Sequence, residues 1–143
     1  MHYYQIEFGT PEYDEAVKLR YNVLREPLGL DFSAEDLAQE FNHFHLGAYH
    51  DQGHLIGYLL LSPKGEKVIQ MRQVAVEPQH QHKGIGRGLV IFSEEFIKRH
   101  GFSEMVLHAR DSAVPFYEKL NYKKAGVPFE EVGIKHYKMV KKV

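Results

Sequence analysis

Residues 70–100 read QMRQVAVEPQHQHKGIGRGLVIFSEEFIKRH, and the fold prediction starts from this stretch. The segment 71–76 is apolar enough for a buried strand, and a polar turn follows it. A stripe of apolar residues at helical spacing then indicates an amphipathic helix, formed by Leu89, Phe92 and Phe96. Two signals indicate where this helix ends. The three basic residues 98–100 suit the negative end of the helix dipole, and Gly101 suits the position just after the helix. The stretch therefore predicts a strand, a turn and a helix.

The turn in this stretch has the composition of a phosphate-binding loop. Three glycines alternate with two cations, in the order Lys83, Gly84, Gly86, Arg87 and Gly88. Glycine allows a tight turn and a close approach to a ligand, and the first N–H groups of a helix have no partner within the helix. These features predict a pyrophosphate site, although a glycine-eased turn that binds nothing stays open as the alternative. The Walker pattern is excluded because Gly86 is followed by Arg87 and Gly88 instead of Lys and Ser or Thr. The dinucleotide-binding pattern is excluded because it needs G-x-G-x-x-G at an early strand, and this mid-chain stretch has G-x-G-x-G.

Length and composition restrict the protein to a few classes. At 143 residues, 43% hydrophobic and 26% charged, we expect one globular domain over residues 1–143. A net charge of −1 argues against a nucleic-acid or membrane-surface binder, and the lack of cysteine excludes disulfides and thiolate ligands. No long apolar run or signal-peptide pattern occurs, so we expect a cytoplasmic protein. The ten histidines lack metal-ligand spacing, and we interpret the pairs His43/His45 and His80/His82 as solvated surface residues.

The rest of the chain predicts a mixed α/β sheet in the order β-α-α-β-β-β-α-β-α-β-β. The predicted strands cover 3–8, 45–50, 55–62, 67–76, 105–109, 122–125 and 134–140, with a loop at 126–133. A first helix starts at Thr10-Pro11 and stops before Pro27, a weak second one starts at Ser33, and a short one covers 112–120. The strand–helix–strand unit at 71–109 predicts one parallel crossover in an otherwise antiparallel sheet.

Two motifs resemble those of a known family. The sequence Gln81-His82-Lys83-Gly84-Ile85-Gly86 follows a Val-Ala-Val strand and resembles the acyl-CoA-binding motif Gln/Arg-x-x-Gly-x-Gly/Ala of the GNAT N-acetyltransferase superfamily. Residues 109–122, ARDSAVPFYEKLNY, resemble its second signature, Asn-x-x-Ala-x-x-Phe-Tyr-x-x-x-Gly-Phe, with Arg110 in the Asn position and Asn121 in the Gly position. Segments 20–25 and 129–139 resemble the ElaA/YjcF branch of this superfamily.

The resemblance implies the GNAT fold, in which the parallel crossover lies where two strands splay to admit acetyl-CoA, the cosubstrate. By this resemblance, the positions that bind it are Val74, Ala75, Val76, Gln81, His82, Lys83, Gly84, Ile85, Gly86, Arg87, Gly88, Arg110, Ala113, Phe116 and Tyr117. The implied reaction transfers an acetyl group directly to a primary amine, and Tyr117 is the implied general acid, with a packed core aromatic as the alternative.

The general base is less well defined by the sequence. Histone-type members carry a glutamate on the strand before the Val-Ala-Val segment, and this chain has Gln70 there. We expect Glu131 or His136 to take that role, with ordinary surface positions as the alternative. Arg25 and Arg72 are candidates for holding an anionic part of the substrate, or for purely structural roles.

Other functions stay open at this point. The acceptor is expected to be a small-molecule amine, and a protein lysine, an N-terminal amine or a different acyl-CoA are the alternatives within enzymes. A non-catalytic acyl-CoA-binding or sensor module is the alternative outside them. No metal, nucleic-acid or membrane partner is expected, and pairing of the last strands of two copies would give a homodimer.

Overall fold

The computed structural model describes residues 1–30 and 34–143. Within them, the strands are β1 (His2–Ile6), β2 (Phe44–Tyr49), β3 (Leu55–Pro63), β4 (Val68–Val76), β5 (Glu104–Arg110), β6 (Lys123–Lys124), β7 (Phe129–Glu131) and β8 (Ile134–Lys142). The α-helices are α1 (Pro11–Arg20), α2 (Ala34–Ala38), α3 (Ile85–Arg99) and α4 (Val114–Lys119). A π-helical turn covers Tyr21–Arg25, and 3₁₀ turns cover Glu26–Leu28, Pro78–His80 and Asp111–Ala113.

The strand pairing confirms the predicted mixed α/β sheet. Strands β4 and β5 pair in parallel, from Val68 opposite Glu104 to Met71 opposite Leu107, and α3 connects them. The pairs β1–β2, β2–β3, β5–β8, β6–β8 and β7–β8 are antiparallel. Within the described residues, β4 and β5 therefore form the parallel crossover that the sequence predicts.

The contacts divide the chain into two compact units. Unit 1 comprises Met1–Ser62 and Gln73–Ser93, and unit 2 comprises Pro63–Arg72 and Glu94–Val143. Strand β4 and helix α3 each contribute residues to both units.

In unit 1, helix α1 begins where the sequence predicts. The N–H of Tyr13 donates to Thr10 Oγ1 over 3.2 Å, and Pro11 occupies the first turn, where its missing N–H is not needed. The hydroxyl of Thr10 also donates to the carbonyl of Glu7 over 2.6 Å, which turns the chain there. Strand β1 therefore ends at Ile6, and the predicted strand over 3–8 is wrong at its end.

The α-helical part of α1 ends at Arg20, earlier than the sequence predicts. Helical winding continues beyond Arg20, but as the π-helical turn Tyr21–Arg25 and then a 3₁₀ turn that ends at Gly29, whose φ is 70°. The prediction of an α-helix up to Pro27 is thus wrong in type, because the apolar pattern does not distinguish these windings. The predicted second helix start, Ser33, lies outside the described residues.

A polar network is buried beneath α1, on the same helix face as Tyr13. The Arg20 guanidinium, fully buried, donates from Nη1 and Nη2 to the two carboxylate oxygens of Glu40 over 2.8 and 2.7 Å. Tyr13 donates its hydroxyl to the same carboxylate over 2.8 Å. His45 is 1% exposed and contacts the Glu40 carbonyl at 2.9 Å and the Tyr58 hydroxyl at 2.7 Å. The interpretation of His45 as a solvated surface residue is therefore wrong.

In unit 2, the C-terminal part of α3 is tied to the chain's end. Glu94 accepts from the Tyr122 hydroxyl over 2.8 Å and from Lys141 Nζ over 2.9 Å. Strand β6 is only two residues long, shorter than the predicted 122–125, and the buried Tyr122 lies just before it. Asn121 has a φ of 73° and ends α4, as predicted.

The loop predicted at 126–133 contains a strand, β7, and this prediction is wrong. Glu131 pairs with Ile134, so a two-residue turn, Val132–Gly133, connects β7 to β8. Both turn residues have positive φ, 48° and 73°, as in a type I′ hairpin. Valine is not a residue that signals this turn, and the sequence pattern therefore does not reveal it.

Candidate active site

The predicted phosphate loop is an exposed turn in unit 1, between β4 and α3. Gln81 donates its side-chain amide to the Val76 carbonyl over 2.9 Å, which fixes the turn against the end of the strand. His82 and Gly84 have positive φ, 64° and 80°, so the backbone turns sharply before α3 begins at Ile85. Apart from its chain neighbours, no described residue has a heavy atom within 4 Å of where a Gly84 Cβ would be, so the turn is open at this position.

This turn fits the anionic pyrophosphate of CoA. The N–H of Gly88 donates to the carbonyl of Gly84 over 3.0 Å, which is the first backbone hydrogen bond of α3. The N–H groups that precede it in α3 have no hydrogen-bond partner within the helix. Lys83 and Arg87 are both exposed beside them. Unpaired N–H groups at the positive end of a helix, with two cations, attract a dianionic group.

Gly88 has a different reason to be glycine. A Cβ at Gly88 would lie 2.0 Å from the hydroxyl oxygen of Tyr3, whose ring stacks on Phe92 at 5.6 Å. The close approach of α3 to β1 therefore accounts for a glycine at this position, and the binding of acetyl-CoA by Gly88 stays a prediction.

The strand before the turn is buried in part. Ala75 is 1% exposed and belongs to the core of unit 1, while Val74 and Val76 are half-buried. The backbone of β4 is irregular just before them, because Gln73 has a φ of 56°.

The predicted acid, Tyr117, lies in α4 of unit 2. It is 7% exposed, and the Tyr122 ring lies 5.8 Å from its own in an edge-to-face contact. Burial raises the pKa of Tyr117 to about 12, so its hydroxyl keeps its proton at neutral pH. Phe116, beside it, is 38% exposed, and Ala113 closes the preceding 3₁₀ turn. The arrangement provides a neutral O–H group, as a proton donor must.

Unit 2 brings three other predicted residues to one face of its sheet. Arg110 is opposite His136 in the β5–β8 pairing, and His136 is opposite Phe129 in the β7–β8 pairing. Glu131 lies two residues beyond Phe129, so its side chain is on the same face. His136 is 6% exposed and donates its Nδ1–H to the Ile134 carbonyl over 2.7 Å, which leaves a lone pair on Nε2.

The same face carries a histidine that the sequence analysis missed. His108 Nδ1 lies 3.1 Å from Glu131 Oε2, and the His108 ring makes an edge-to-face contact with Phe129 at 5.0 Å. The alternation of β5 puts His108 on the same face as Arg110, but no motif marks it.

The two candidate substrate arginines are in different units. Arg25 closes the π-helical turn of unit 1 and is half-buried, and Arg72 is exposed on β4 in unit 2. Unit 1 also contains a cavity of about 630 Å³. Its lining includes none of the predicted site residues, and comes from the polar side of α1, the β2–β3 turn and residues 77–79.

Two further searches concern metals and membranes. In the described part of the chain, no three histidine, aspartate or glutamate side chains are arranged to hold a metal ion. No helix within residues 1–30 and 34–143 is long and apolar enough to cross a membrane.

Comparison with known proteins identifies the family. The family model for the acetyltransferase (GNAT) domain matches residues 14–143. The chain therefore belongs to the GNAT family, whose class is that of the acyl-CoA-dependent acetyltransferases. This confirms the family that the two motifs indicated.

A relative and two solved structures illustrate the match. A UPF0039 protein of Schizosaccharomyces pombe is 30% identical over 97 residues, which are 66% of this chain and 65% of the yeast protein. Escherichia coli ElaA has a TM-score of 0.84 at 16% identity, with 99% of both chains covered. An aminoglycoside 6'-N-acetyltransferase complexed with coenzyme A has a TM-score of 0.83 at 19% identity, with 99% of this chain and 97% of that chain covered. At these identities the two structures show the fold.

Proposed function

We propose that this protein transfers an acetyl group from acetyl-CoA to the primary amine of a small-molecule acceptor. The observation that carries the proposal is the open turn before α3, in which the acyl-CoA motif has the backbone that a pyrophosphate needs. The family match over residues 14–143 supports it. We further propose a single catalytic domain over residues 1–143.

The cosubstrate supplies an activated acetyl group as a thioester. In this proposal, the turn 81–88 binds the pyrophosphate through backbone N–H groups, Lys83 and Arg87. The backbone of 74–76 pairs with the pantetheine arm as an added strand would, and polarises the thioester carbonyl. In unit 2, Arg110, Ala113 and Phe116 are proposed cosubstrate-binding residues.

The catalytic roles follow from the state of each side chain. Tyr117 gives its proton to the leaving sulfur, because burial keeps its hydroxyl protonated at neutral pH. Glu131 or His136 receives the proton that the amine loses, directly or through water. Arg25 and Arg72 are proposed to hold an anionic group of the acceptor.

The acceptor is proposed to be a small amine because one structural neighbour is named an aminoglycoside acetyltransferase. A protein lysine or an N-terminal amine is the second candidate acceptor. A non-catalytic acyl-CoA sensor is the second candidate function, since Gln70 stands where histone-type members have a glutamate. We further propose a cytoplasmic location, where acetyl-CoA is available, and a homodimer formed through the last strands.

The test has two steps. Calorimetric titration with CoA and acetyl-CoA should show micromolar binding, and Gly86→Glu should weaken it, because a carboxylate then enters the anion site. CoA release is then followed with kanamycin, spermidine and a lysine-containing peptide as acceptors. Tyr117→Phe should lower turnover by about 100-fold with unchanged CoA affinity.

The outcomes separate the candidate functions. Binding without release for any acceptor favours the sensor. If the folded protein binds no CoA at millimolar concentration, both the transferase and the sensor are excluded.

A further inference from the structure

We propose that His108 is the general base of this reaction, and that Glu131 is the residue that positions it. The proposal rests on the proposed function and deepens it. It changes the role of Glu131 from candidate base to positioning residue, and it replaces His136 with a histidine that no motif marks.

The contact between the two side chains determines the state of the imidazole. An ionised carboxylate only accepts hydrogen bonds, so at 3.1 Å the His108 Nδ1–H donates to Glu131 Oε2. A neutral imidazole with its proton on Nδ1 has a lone pair on Nε2. The pair therefore prepares Nε2, on the far side of the ring, to receive a proton. This is the arrangement of base and orienting group that nucleophile activation requires.

The exposure of the histidines favours His108 over His136. The side chain of His108 is 38% exposed and that of Glu131 is 48% exposed, so a substrate can reach them. His136 is 6% exposed, and the Phe129 ring stacks on it at 5.9 Å. An exposed contact between a histidine and a carboxylate contributes little to stability, so folding alone gives little reason for this pair.

The neighbourhood of His108 contains several charged or titratable groups. Those on the same face are Arg72 on β4, Arg110 on its own strand, Glu131 on β7, and His136 and Lys138 on β8, with Lys138 directly opposite His108. Phe129 packs against the imidazole edge-to-face at 5.0 Å, which limits rotation of the ring. Among these groups, the Glu131 carboxylate is the acceptor in contact with Nδ1.

In the proposed step, the acetyl group moves from the sulfur of the thioester to the nitrogen of the acceptor. The lone pair of the acceptor nitrogen forms the C–N bond to the acetyl carbon, and the C–S bond breaks with its electron pair on sulfur. His108 Nε2 takes one proton from the nitrogen, directly or through a water, and Tyr117 gives one to the sulfur. The amide and the thiol leave, and solvent returns the imidazole and the phenol to their starting states.

The first experiment measures the proton position on His108 without any substrate. Nitrogen-15 NMR of the histidine-labelled protein at pH 8 should show the Nδ1–H form for His108, with the signal assigned through His108→Gln. Glu131→Ala should shift it towards the Nε2–H form that the side chain of free histidine prefers. Glu130→Ala is the matched control, because Glu130 is on the same strand with its side chain on the opposite face, and should leave it unchanged. A dominant Nε2–H form in the unmodified protein overturns the proposal.

The second experiment measures acetyl transfer to the best acceptor among kanamycin, spermidine and the lysine-containing peptide. His108→Gln should lower turnover by about 100-fold and remove the acidic limb of the pH–rate profile, with CoA affinity unchanged. Glu131→Ala should lower turnover by about tenfold and should leave the acidic limb of the pH–rate profile in place. His54→Gln, an exposed histidine of the β2–β3 turn, should leave both unchanged.

Failure of this inference is distinguishable from failure of the proposed function. If His108→Gln retains the rate and the acidic limb while Tyr117→Phe lowers turnover, the transferase stands and His108 is not its base. If the limb disappears in His136→Gln instead, the base is His136 and the inference is overturned. If CoA binds but no acceptor is acetylated, the transferase itself fails and the inference falls with it.

Discussion

At the residue scale, Gly88 shows how a motif position can serve packing. The prediction of a pyrophosphate site treats the three glycines of the turn alike. Among these three, only Gly84 has the positive φ that favours glycine in a tight turn. Gly88 faces the Tyr3 hydroxyl, and Tyr3 is held by its stacking on Phe92. The sequence gives no sign of this contact, because residues 3 and 88 are far apart in the chain.

We therefore expect Gly88→Ala to destabilise the protein. Alanine would gain about 1 kcal/mol in helix propensity, but displacing the Tyr3 ring should cost about 1–3 kcal/mol. Denaturant unfolding would measure the net loss. Tyr3→Phe combined with Gly88→Ala should recover part of it, because the atom at 2.0 Å is then absent. A Gly88→Ala protein as stable as the parent would show that Tyr3 moves freely.

Val132 is the second residue with a local conflict. Its φ of 48° is unfavourable for a β-branched side chain, and it is 53% exposed, so packing offers little compensation. Val132→Gly should stabilise the protein by about 1 kcal/mol, as a higher midpoint in urea unfolding. Val127→Gly is the control, since Val127 is 81% exposed without a positive φ, and should give no gain. Equal effects of the two variants would contradict the strain at Val132.

At the element scale, the buried Arg20–Glu40 pair joins the end of α1 to the chain beyond α2. The two donor–acceptor distances are 2.8 and 2.7 Å, and both side chains are largely shielded from water. Removing one partner leaves the other charge buried, so Arg20→Met should cost about 3–5 kcal/mol. Unfolding free energies of Arg20→Met, Glu40→Met and the double variant test this. The double variant should lose less than the two single losses together, and additive losses would show that the pair is not coupled.

The same network predicts how stability depends on pH. Burial lowers the pKa of His45, so the unfolded chain binds a proton more readily than the folded one. Stability due to neutral His45 is therefore present above about pH 6.5 and is lost as the pH falls below it. Burial alone would raise the pKa of Glu40, but hydrogen bonds and the charge of Arg20 outweigh it and lower the pKa, so loss of that contribution starts at lower pH.

Melting temperatures between pH 8 and 5 test this dependence. The unmodified protein should lose stability over the range, and His45→Gln should be less stable at pH 8 but flatter between pH 7 and 5. An unchanged slope in the variant would assign the dependence to other groups. Its nine remaining histidines are present in both proteins, so the comparison isolates His45.

At the scale of the whole molecule, the sequence predicted the fold class well because it depends on patterns that are local in the chain. The stripe of α3, the Thr10 cap and the parallel crossover all come from short segments. What it missed depends on distant contacts: the burial of His45 against Glu40 and Tyr58, and the pairing of His108 with Glu131. The candidate site shows the same dependence, since its predicted residues come from short motifs, whereas no motif marks the proposed base, His108.

The final prediction concerns the stability of the whole chain when it binds its cosubstrate. A ligand that binds only the folded protein adds about 2.7 kcal/mol at a hundred times its Kd, so acetyl-CoA should raise Tm by several degrees. Pantetheine, which lacks the pyrophosphate, should raise it far less. Combined Lys83→Ala and Arg87→Ala should remove most of the difference between the two ligands, because these cations flank the open turn. The control is Lys98→Ala combined with Arg99→Ala, at the opposite end of α3. This double variant removes the same charge and should keep the difference between the two ligands. If both double variants lose the difference equally, overall charge rather than the turn accounts for the binding, and the assignment of the pyrophosphate to residues 81–88 is wrong.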